Sequence, residues 1–264
     1  MVTGGSSGIG AATARLLAAA GFPVVVGARR VDVCEVVAKE IRQTGGEAVA
    51  LALDLTRPDS IEEFAAAAIS VSGTVEVLVS NAGRSAPGSA LDSDPDDFAQ
   101  TLTVNVLGAQ RLTRLLVTPM VARLRGDVVF VTSETVSAPR PNAAGYVSSK
   151  WGLEGLARAL QMELEGTGVR ATIVRPGQTL TEMGSDWDPQ SATEVIESWI
   201  HWGLARHSGF LQPDGVAAAV LAAVSMPRGT HVSALDVQPE APIASPTDDP
   251  AQPQLHQTDK EPPT

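Results

Sequence analysis

The sequence predicts a doubly wound α/β fold, in which helices cover both faces of a parallel sheet. Apolar runs rich in valine alternate along the chain with Ala- and Leu-rich stretches of helical spacing. These runs lack the apolar/polar alternation of a strand with one solvated face, so their sheet is covered on both sides. The chain has 264 residues, of which 44% are hydrophobic and 19% charged, and this fits one globular domain.

The order of the segments supports this architecture, because strands that alternate with helices at this spacing form βαβ units with parallel strands. The predicted strands are Val24–Ala28, Ala48–Leu53, Val75–Ser80, Val128–Thr132, Arg170–Val174 and Val232–Val237. The predicted helices are Ile9–Ala20, Val31–Thr44, Ile61–Ser72, Leu102–Leu124 and Gly152–Glu165.

The first strand is short in this sequence. Only Met1 and Val2 precede Thr3, whereas the fold uses a first strand of about five residues in the middle of the sheet. We therefore expect a truncated first strand, and a translation start upstream of Met1.

The C-terminal segment differs in composition from the rest. Residues Gln238–Thr264 contain seven prolines, five acidic residues and one lysine, with no apolar periodicity. Such a segment buries too little surface to offset its ordering entropy. We predict one domain over residues 1–237 and a disordered, Pro-rich acidic tail over 238–264. A solvated linker is favoured over a regulatory or docking role for this tail.

Charge and composition exclude several classes of function. The formal net charge of −11 argues against nucleic acid and an anionic membrane surface as partners. No apolar run approaches the roughly 18 residues of a membrane span, and the first residues show no signal-peptide pattern. The single cysteine, Cys34, forms no disulfide within the chain and builds no Cys-based zinc site. We expect a soluble cytoplasmic protein without a metal.

A glycine-rich segment predicts a nucleotide site. It reads Thr3-Gly4-Gly5-Ser6-Ser7-Gly8-Ile9-Gly10 and lies between the first strand and an apolar helix. Glycines allow the backbone to turn tightly and to approach a pyrophosphate, which then lies at the helix N-terminus. A plain turn is the alternative.

Two arginines after the second strand predict which cofactor binds. A protein that prefers NAD usually carries a carboxylate near this point for the ribose 2′-hydroxyl. Here Ala28 is followed by Arg29 and Arg30. A guanidinium suits a 2′-phosphate, so NADP is favoured over NAD. A pair of solvated arginines is the alternative.

Three further residues point to acid/base chemistry. Tyr146 and Lys150 are four residues apart and share one face of a helix. Lowering a phenol pKa from about 10 to near 7 takes roughly 4 kcal/mol, the order that one cation about 4 Å away supplies at an effective dielectric of about 20. Ser133 follows the strand Val128–Thr132, at the sheet edge where ligands bind.

In this ordered set of motifs, the sequence resembles the short-chain dehydrogenase/reductase family. The resemblance runs from Thr3 to about Val237. It is carried by the Thr3–Gly10 segment, Asp54-Leu55, Asn81-Ala82-Gly83, Asn105, Ser133, Tyr146 with Lys150, and Arg175-Pro176-Gly177.

The resemblance implies a Rossmann-like fold and a role for each matching residue. Tyr146 would be the general acid/base, and Lys150 would lower its pKa and bind the nicotinamide ribose. Ser133 would orient the carbonyl, while Asn105 would hold a relay water or serve a purely structural role. The implied cofactor contacts are Asp54 and Leu55 at the adenine, Asn81, Ala82 and Gly83 along the channel, and Pro176, Gly177, Thr179 and Thr181 at the nicotinamide end.

The same resemblance places a lid segment, residues 182–209, over the substrate pocket. Three of the four tryptophans, Trp187, Trp199 and Trp202, lie in it. They suggest a hydrophobic or ring-containing substrate, or else they pack the lid onto the body. Glu134, by strand alternation from Ser133, is expected to point away from the pocket.

These inferences predict an NADP(H)-dependent oxidoreductase that transfers hydride between nicotinamide and a ketone/secondary alcohol pair. The alternatives are an NAD-dependent dehydrogenase of the same fold and a non-catalytic NADP-binding regulator. The resemblance also implies a homodimer or homotetramer that packs through the helices Leu102–Leu124 and Gly152–Glu165.

Overall fold

A computed structural model describes residues 1–183, 187–204 and 209–241 of the chain. Seven parallel strands form one sheet in the order β3-β2-β1-β4-β5-β6-β7. The strands are β1 (Val2–Thr3), β2 (Val24–Ala28), β3 (Ala48–Ala52), β4 (Val77–Ser80), β5 (Gly126–Val131), β6 (Val169–Pro176) and β7 (Ala234–Val237).

Helices cover both faces of the sheet. They are α1 (Gly8–Ala19), α2 (Val31–Gln43), α3 (Pro58–Ser72), α4 (Pro95–Leu102), α5 (Ala109–Ala122), α6 (Ala144–Glu163), α7 (Pro189–His201) and α8 (Pro213–Val224). One apolar cluster packs α3, α5 and α6 on the sheet, and the other packs α1, α2 and α8. The predicted doubly wound parallel sheet is confirmed.

The strand β5 shows why the apolar runs lack polar alternation. All six of its residues are buried. Val128 and Phe130 belong to the cluster with α3, α5 and α6, whereas Val129 and Val131 belong to the cluster on the opposite face. Successive side chains thus enter opposite cores, as the two-residue period of a strand requires.

The short first strand lies where the fold requires it. In β1, Val2 pairs with Val26 of β2 on one side and with Val79 of β4 on the other. Its side chain is fully buried. Two residues therefore bridge the centre of the sheet.

One predicted helix is interrupted. Instead of one helix over Leu102–Leu124, α4 ends at Leu102, a π-helical turn spans Thr103–Gly108, and α5 follows. A Cβ on Gly108 would lie 2.4 Å from the carbonyl oxygen of Leu55. The π-helical turn therefore approaches the segment after β3 at a distance that only glycine allows. Such widened turns are frequent at functional sites.

Strand order fixes where a ligand can enter. The chain order reverses between β1 and β4, since β1, β2 and β3 extend one way and β4 to β7 the other. Loops that leave the carboxyl ends of β1 and β4 diverge at this point and open a crevice. In the described ranges, no helix is long and apolar enough to cross a membrane.

Parts of two predicted regions lie outside the described residues. These are residues 184–186 and 205–208 of the lid segment and residues 242–264 of the predicted tail.

A buried ion pair joins α6 to the sheet. The carboxylate of Glu154 accepts two hydrogen bonds from Arg175 of β6, at 2.8 Å from Nε and 2.7 Å from Nη2. Both side chains are at most 10% exposed. Asp236 of β7 contacts the same guanidinium at 3.2 Å. Removing Glu154 would leave the buried Arg175 guanidinium with the longer contact to Asp236, whose side chain is 59% exposed.

Glu154→Ala is expected to lower the free energy of unfolding by about 3 kcal/mol, because the Arg175 guanidinium loses its bidentate partner. Chemical denaturation measures the loss, and Glu163→Ala, at an exposed position of the same helix, is the control. The double variant Glu154→Leu/Arg175→Met should regain most of the stability. A loss under about 1 kcal/mol in the single variant would contradict this account of the pair.

Candidate active site

A groove of about 650 Å³ opens at the carboxyl ends of the strands. It runs from the glycine-rich segment to the lid segment. Most residues predicted for the site lie on its wall: Gly4, Ser6, Ser7, Gly8, Ile9, Arg29, Arg30, Asp54, Leu55, Asn81, Ala82, Gly83, Ser133, Tyr146, Lys150, Pro176, Gly177, Thr179 and Thr181. Thr3, Gly10 and Asn105 lie behind this wall.

The glycine-rich segment forms a cradle at the N-terminus of α1. Gly4 has a φ of +66°, which side chains rarely adopt. A Cβ on Gly10 would lie 2.2 Å from the Gly4 carbonyl oxygen, so the helix packs on the loop without a side chain between them. The first N–H groups of α1, which begins at Gly8, have no acceptor within the helix. This arrangement fits a pyrophosphate.

Thr3 and Asn81 hold this cradle to the neighbouring strand. The Thr3 hydroxyl accepts the N–H groups of Asn81 and Ala82, both at 3.0 Å. The Asn81 amide donates to the Thr3 carbonyl at 2.9 Å. Thr3 is 1% exposed, so it supports the wall from behind.

The far end of the groove suits an adenosine. Asp54 and Leu55 follow β3 and reach the wall. The Asp54 carboxylate accepts the Thr56 N–H at 2.9 Å and the Thr56 hydroxyl at 2.7 Å, which fixes the turn. Arg29 and Arg30, after β2, line the same end.

Ser133, Tyr146 and Lys150 meet at the other end of the groove. Ser133 follows β5, and the other two residues lie in the first turns of α6. The Ser133 hydroxyl lies close enough to the Tyr146 phenol to act on its pKa, and it accepts the Thr135 N–H at 3.2 Å. The Lys150 Nζ donates to the Val131 carbonyl at 2.9 Å and lies 5.5 Å from the Tyr146 ring centroid.

Burial is the largest cause of the pKa shifts of Tyr146 and Lys150. Burial raises the pKa of Tyr146; the Ser133 hydrogen bond opposes this and the nearby Glu134 charge adds to it. Burial also lowers the pKa of Lys150 to about 8. The pKa of Tyr146 thus lies above its usual value, and the groups that shift it are Ser133 and Glu134 beside the effect of burial; a lowering by Lys150 stays a prediction. The phenol is protonated at neutral pH.

Asn105 ties three segments together. Its Oδ1 accepts the Arg84 N–H at 2.8 Å, and its Nδ2 donates to the Arg84 carbonyl at 2.9 Å and to the Ser149 hydroxyl at 2.8 Å. The residue is fully buried. These contacts give the side chain a structural role, which joins the loop after β4 to α6.

The C-terminal strand supports the residues after β6. The Gly177 N–H donates to the Val237 carbonyl at 2.7 Å, and a Cβ on Gly177 would lie 2.6 Å from Oε1 of Gln238. Thr179 donates from its hydroxyl to the Gly177 carbonyl at 2.9 Å. The segment up to Thr181 is thereby held along the groove wall.

Two of the three lid tryptophans both line the groove and pack the lid on the body. Trp187 Nε1 donates to the Ser85 carbonyl at 3.2 Å, and Trp199 Nε1 donates to the Pro141 carbonyl at 3.1 Å. Both rings reach the groove wall. Trp202 is 66% exposed.

Glu134 and Arg140 form a buried ion pair on the groove wall. The expectation that Glu134 points away was wrong, because a 3₁₀ turn over Glu134–Val136 follows β5 and ends the strand alternation. Arg140 also donates to the Leu204 carbonyl at 2.8 Å and lies 5.5 Å over the Trp199 ring. Sequence reasoning missed Arg140, whose only signal was a charge between Pro139 and Pro141.

The described part of the chain holds no group of three or more His, Cys, Asp or Glu side chains placed to bind a metal ion.

Comparison with known proteins agrees with this geometry. The family model described as short chain dehydrogenase matches residues 1–192. The chain belongs to the short-chain dehydrogenase family. The motifs that form the groove, from Gly4 to Lys150, all fall within the matched residues.

One relative of this chain is a much longer protein. Glycine betaine reductase ATRR from Emericella nidulans is 32% identical over 240 residues, which are 90% of this chain and 18% of that protein. The chain thus spans less than a fifth of this relative's length.

Two solved structures superpose on most of the chain. Alcohol dehydrogenase from the archaeon Thermococcus sibiricus, complexed with 5-hydroxy-NADP, has a TM-score of 0.77 and 31% identity, and covers 89% of this chain and 94% of its own. A variant of actinorhodin polyketide ketoreductase with NADPH has a TM-score of 0.77 and 30% identity, with coverages of 90% and 94%.

Lys150→Met is expected to raise the free energy of unfolding by about 2 kcal/mol at pH 7, because a buried ammonium is removed. The folded-state pKa of about 8 lies below the unfolded value, so unfolding takes up a proton above pH 8 and the burial cost shrinks as pH rises. The advantage of the variant should therefore be nearly full at pH 7, fall between about pH 8 and pH 10, and be nearly gone by about pH 11.

Urea unfolding of both proteins at a series of pH values measures this, with the exposed Lys39→Met as the matched control. An advantage that stays constant across this range, or a variant less stable than the parent at pH 7, would contradict the burial argument.

Proposed function

We propose that this chain is an NADP(H)-dependent oxidoreductase that transfers hydride between nicotinamide and a ketone/secondary alcohol pair. One observation carries the proposal. A phenol, a hydroxyl and an ammonium meet at one end of a groove whose other end holds a glycine cradle and two arginines. The groove therefore offers a dinucleotide site and an acid in one continuous space.

When bound, the nicotinamide supplies the hydride that reduces the carbonyl carbon. Tyr146 donates its phenolic proton to the carbonyl oxygen, which completes the alcohol, and takes a proton in the reverse direction. Burial keeps the phenol protonated, which is the state that an acid requires. Ser133 accepts the Thr135 N–H through its oxygen, and with substrate bound its O–H donates to the carbonyl oxygen beside the phenol.

Lys150 compensates the charge that develops. Loss of the proton leaves a phenolate in a buried site, and the ammonium 5.5 Å from the ring centroid attracts it strongly at low dielectric. Its Val131 hydrogen bond fixes the Nζ at this place. Asn105 positions α6 through Ser149, and we propose that a relay water binds near it.

The cofactor preference rests on Arg29 and Arg30. Both line the adenosine end of the groove, where a carboxylate would favour NAD. The Thermococcus alcohol dehydrogenase carries 5-hydroxy-NADP and the actinorhodin ketoreductase carries NADPH. These similarities support NADP for this chain.

Several large apolar side chains line the groove at its substrate end. Beyond Tyr146, its wall includes Val104, Met183, Trp187, Trp199 and Phe210. Such a wall suits a carbonyl compound with a hydrophobic or ring-containing body. The charges of Glu134 and Arg140 are paired with each other and offer no free charge to a substrate.

We further propose that residues 1–237 form one catalytic domain and that it associates as a homodimer or homotetramer. Large apolar side chains support this. Three of them lie on the helices expected to form the contact between subunits. They are Leu107, before α5, at 56% exposed, and Trp151 and Met162, on α6, at 55% and 75%.

Tyr146→Phe is expected to lower turnover at least about a thousandfold, because the variant lacks the proton donor, while NADPH affinity stays within about threefold. NADPH oxidation with a panel of aliphatic and aryl ketones measures turnover, and nicotinamide fluorescence measures binding.

Val147→Ala, the next residue on the same helix, is the control. Undiminished turnover in Tyr146→Phe would contradict the acid role. Tight NADPH binding without turnover of any ketone by the unaltered protein would favour a non-catalytic regulator.

A further inference from the structure

Arg30 makes an ion pair across the mouth of the groove. Its Nη2 lies 2.8 Å from Oε2 of Glu182, the first residue of the lid segment. The same nitrogen lies 3.2 Å from the Ser6 hydroxyl and 3.4 Å from the Ser7 hydroxyl. All of these residues line the groove.

The glycine cradle lies directly under this pair. A Cβ on Gly8 would lie 3.1 Å from Cγ2 of Thr181, so the start of the lid segment packs on the N-terminus of α1. The Arg30 guanidinium and the Ser7 hydroxyl both hold the pKa of Glu182 below its usual range, which keeps the carboxylate ionised. Glu182 therefore places a negative charge beside the phosphate cradle.

A negative charge at this place is unexpected in a site for a polyanion. The carboxylate satisfies the guanidinium that the proposed function assigns to the 2′-phosphate. Both partners are more than half exposed, at 54% and 57%, so the pair contributes little to stability and exchanges readily. A phosphate monoester carries about two negative charges near neutral pH, so it competes well with a carboxylate for the Arg30 guanidinium.

We propose that Glu182 is a specificity-determining residue, whose carboxylate competes with the cofactor 2′-phosphate for Arg30. This inference rests on the proposed contact between Arg30 and the cofactor 2′-phosphate. NADPH must displace Glu182 from Arg30, and in doing so it releases the start of the lid segment from the β2 side of the groove. NADH has no 2′-phosphate and leaves the pair in place. Glu182 thus lowers the selectivity for NADPH that the two arginines provide.

The test is a fluorescence titration of the full chain with NADPH and, separately, with NADH. Glu182→Gln is expected to tighten NADPH binding about fivefold, because the competing charge is gone, and to change NADH binding less than about twofold. Glu197→Gln removes the same charge from an exposed position of α7 and should change neither affinity. Both variants alter exposed side chains, and thermal unfolding checks that they fold.

A second titration series in the Arg30→Ala background tests whether Glu182 acts through Arg30. If Glu182 acts through Arg30, adding Glu182→Gln in the Arg30→Ala background should change NADPH affinity less than about twofold. A gain of equal size in both backgrounds would overturn competition for the guanidinium.

The outcomes separate this inference from the proposed function. If the unaltered protein prefers NADPH but Glu182→Gln leaves its affinity unchanged or weakens it, the inference fails alone. If the unaltered protein shows no preference and Glu182→Gln creates one, the inference holds and the proposed preference fails. If neither protein prefers NADPH, both are contradicted.

Discussion

The groove depends on the hydrogen bonds that the buried Thr3 hydroxyl makes between the first and fourth strands. Thr3 accepts the N–H groups of Asn81 and Ala82, and Asn81 returns a bond to the Thr3 carbonyl. These contacts join two loops that leave the sheet in opposite directions, at the point where strand order reverses. The cradle for a pyrophosphate and the wall that faces Lys150 are fixed to one another there.

Function at this site conflicts with stability. A buried ammonium and a partly buried phenol cost free energy that an apolar pair would not. The surrounding structure offsets this cost with the Val131 carbonyl at Lys150, the Ser133 hydroxyl at Tyr146 and the polar contacts of Asn105. The lid adds hydrogen bonds from two tryptophans and from Arg140. Such a site is typical of a protein that gives up stability for chemistry.

Local pattern predicted the sheet and most of the groove wall, because parallel strands bring distant motifs to one edge. Strand ends were predicted within two residues. The largest differences include the end of β6, which continues to Pro176 because β7 pairs with it there. The π-helical turn was not predictable, since it depends on the approach of Gly108 to Leu55. Arg140 and the Arg30–Glu182 pair were missed for the same reason. Their partners lie 6 to 152 residues away along the chain, and no local signal connects them.

The most direct test of the account is an equilibrium titration of the unaltered chain with NADPH and with NADH, followed by nicotinamide fluorescence. The glycine cradle with Arg29 and Arg30 predicts that both bind and that NADPH binds at least about tenfold more tightly. Equal affinities would contradict the role of the arginines. Absence of binding by either dinucleotide would contradict the nucleotide site itself, and the proposed chemistry of Tyr146 with it.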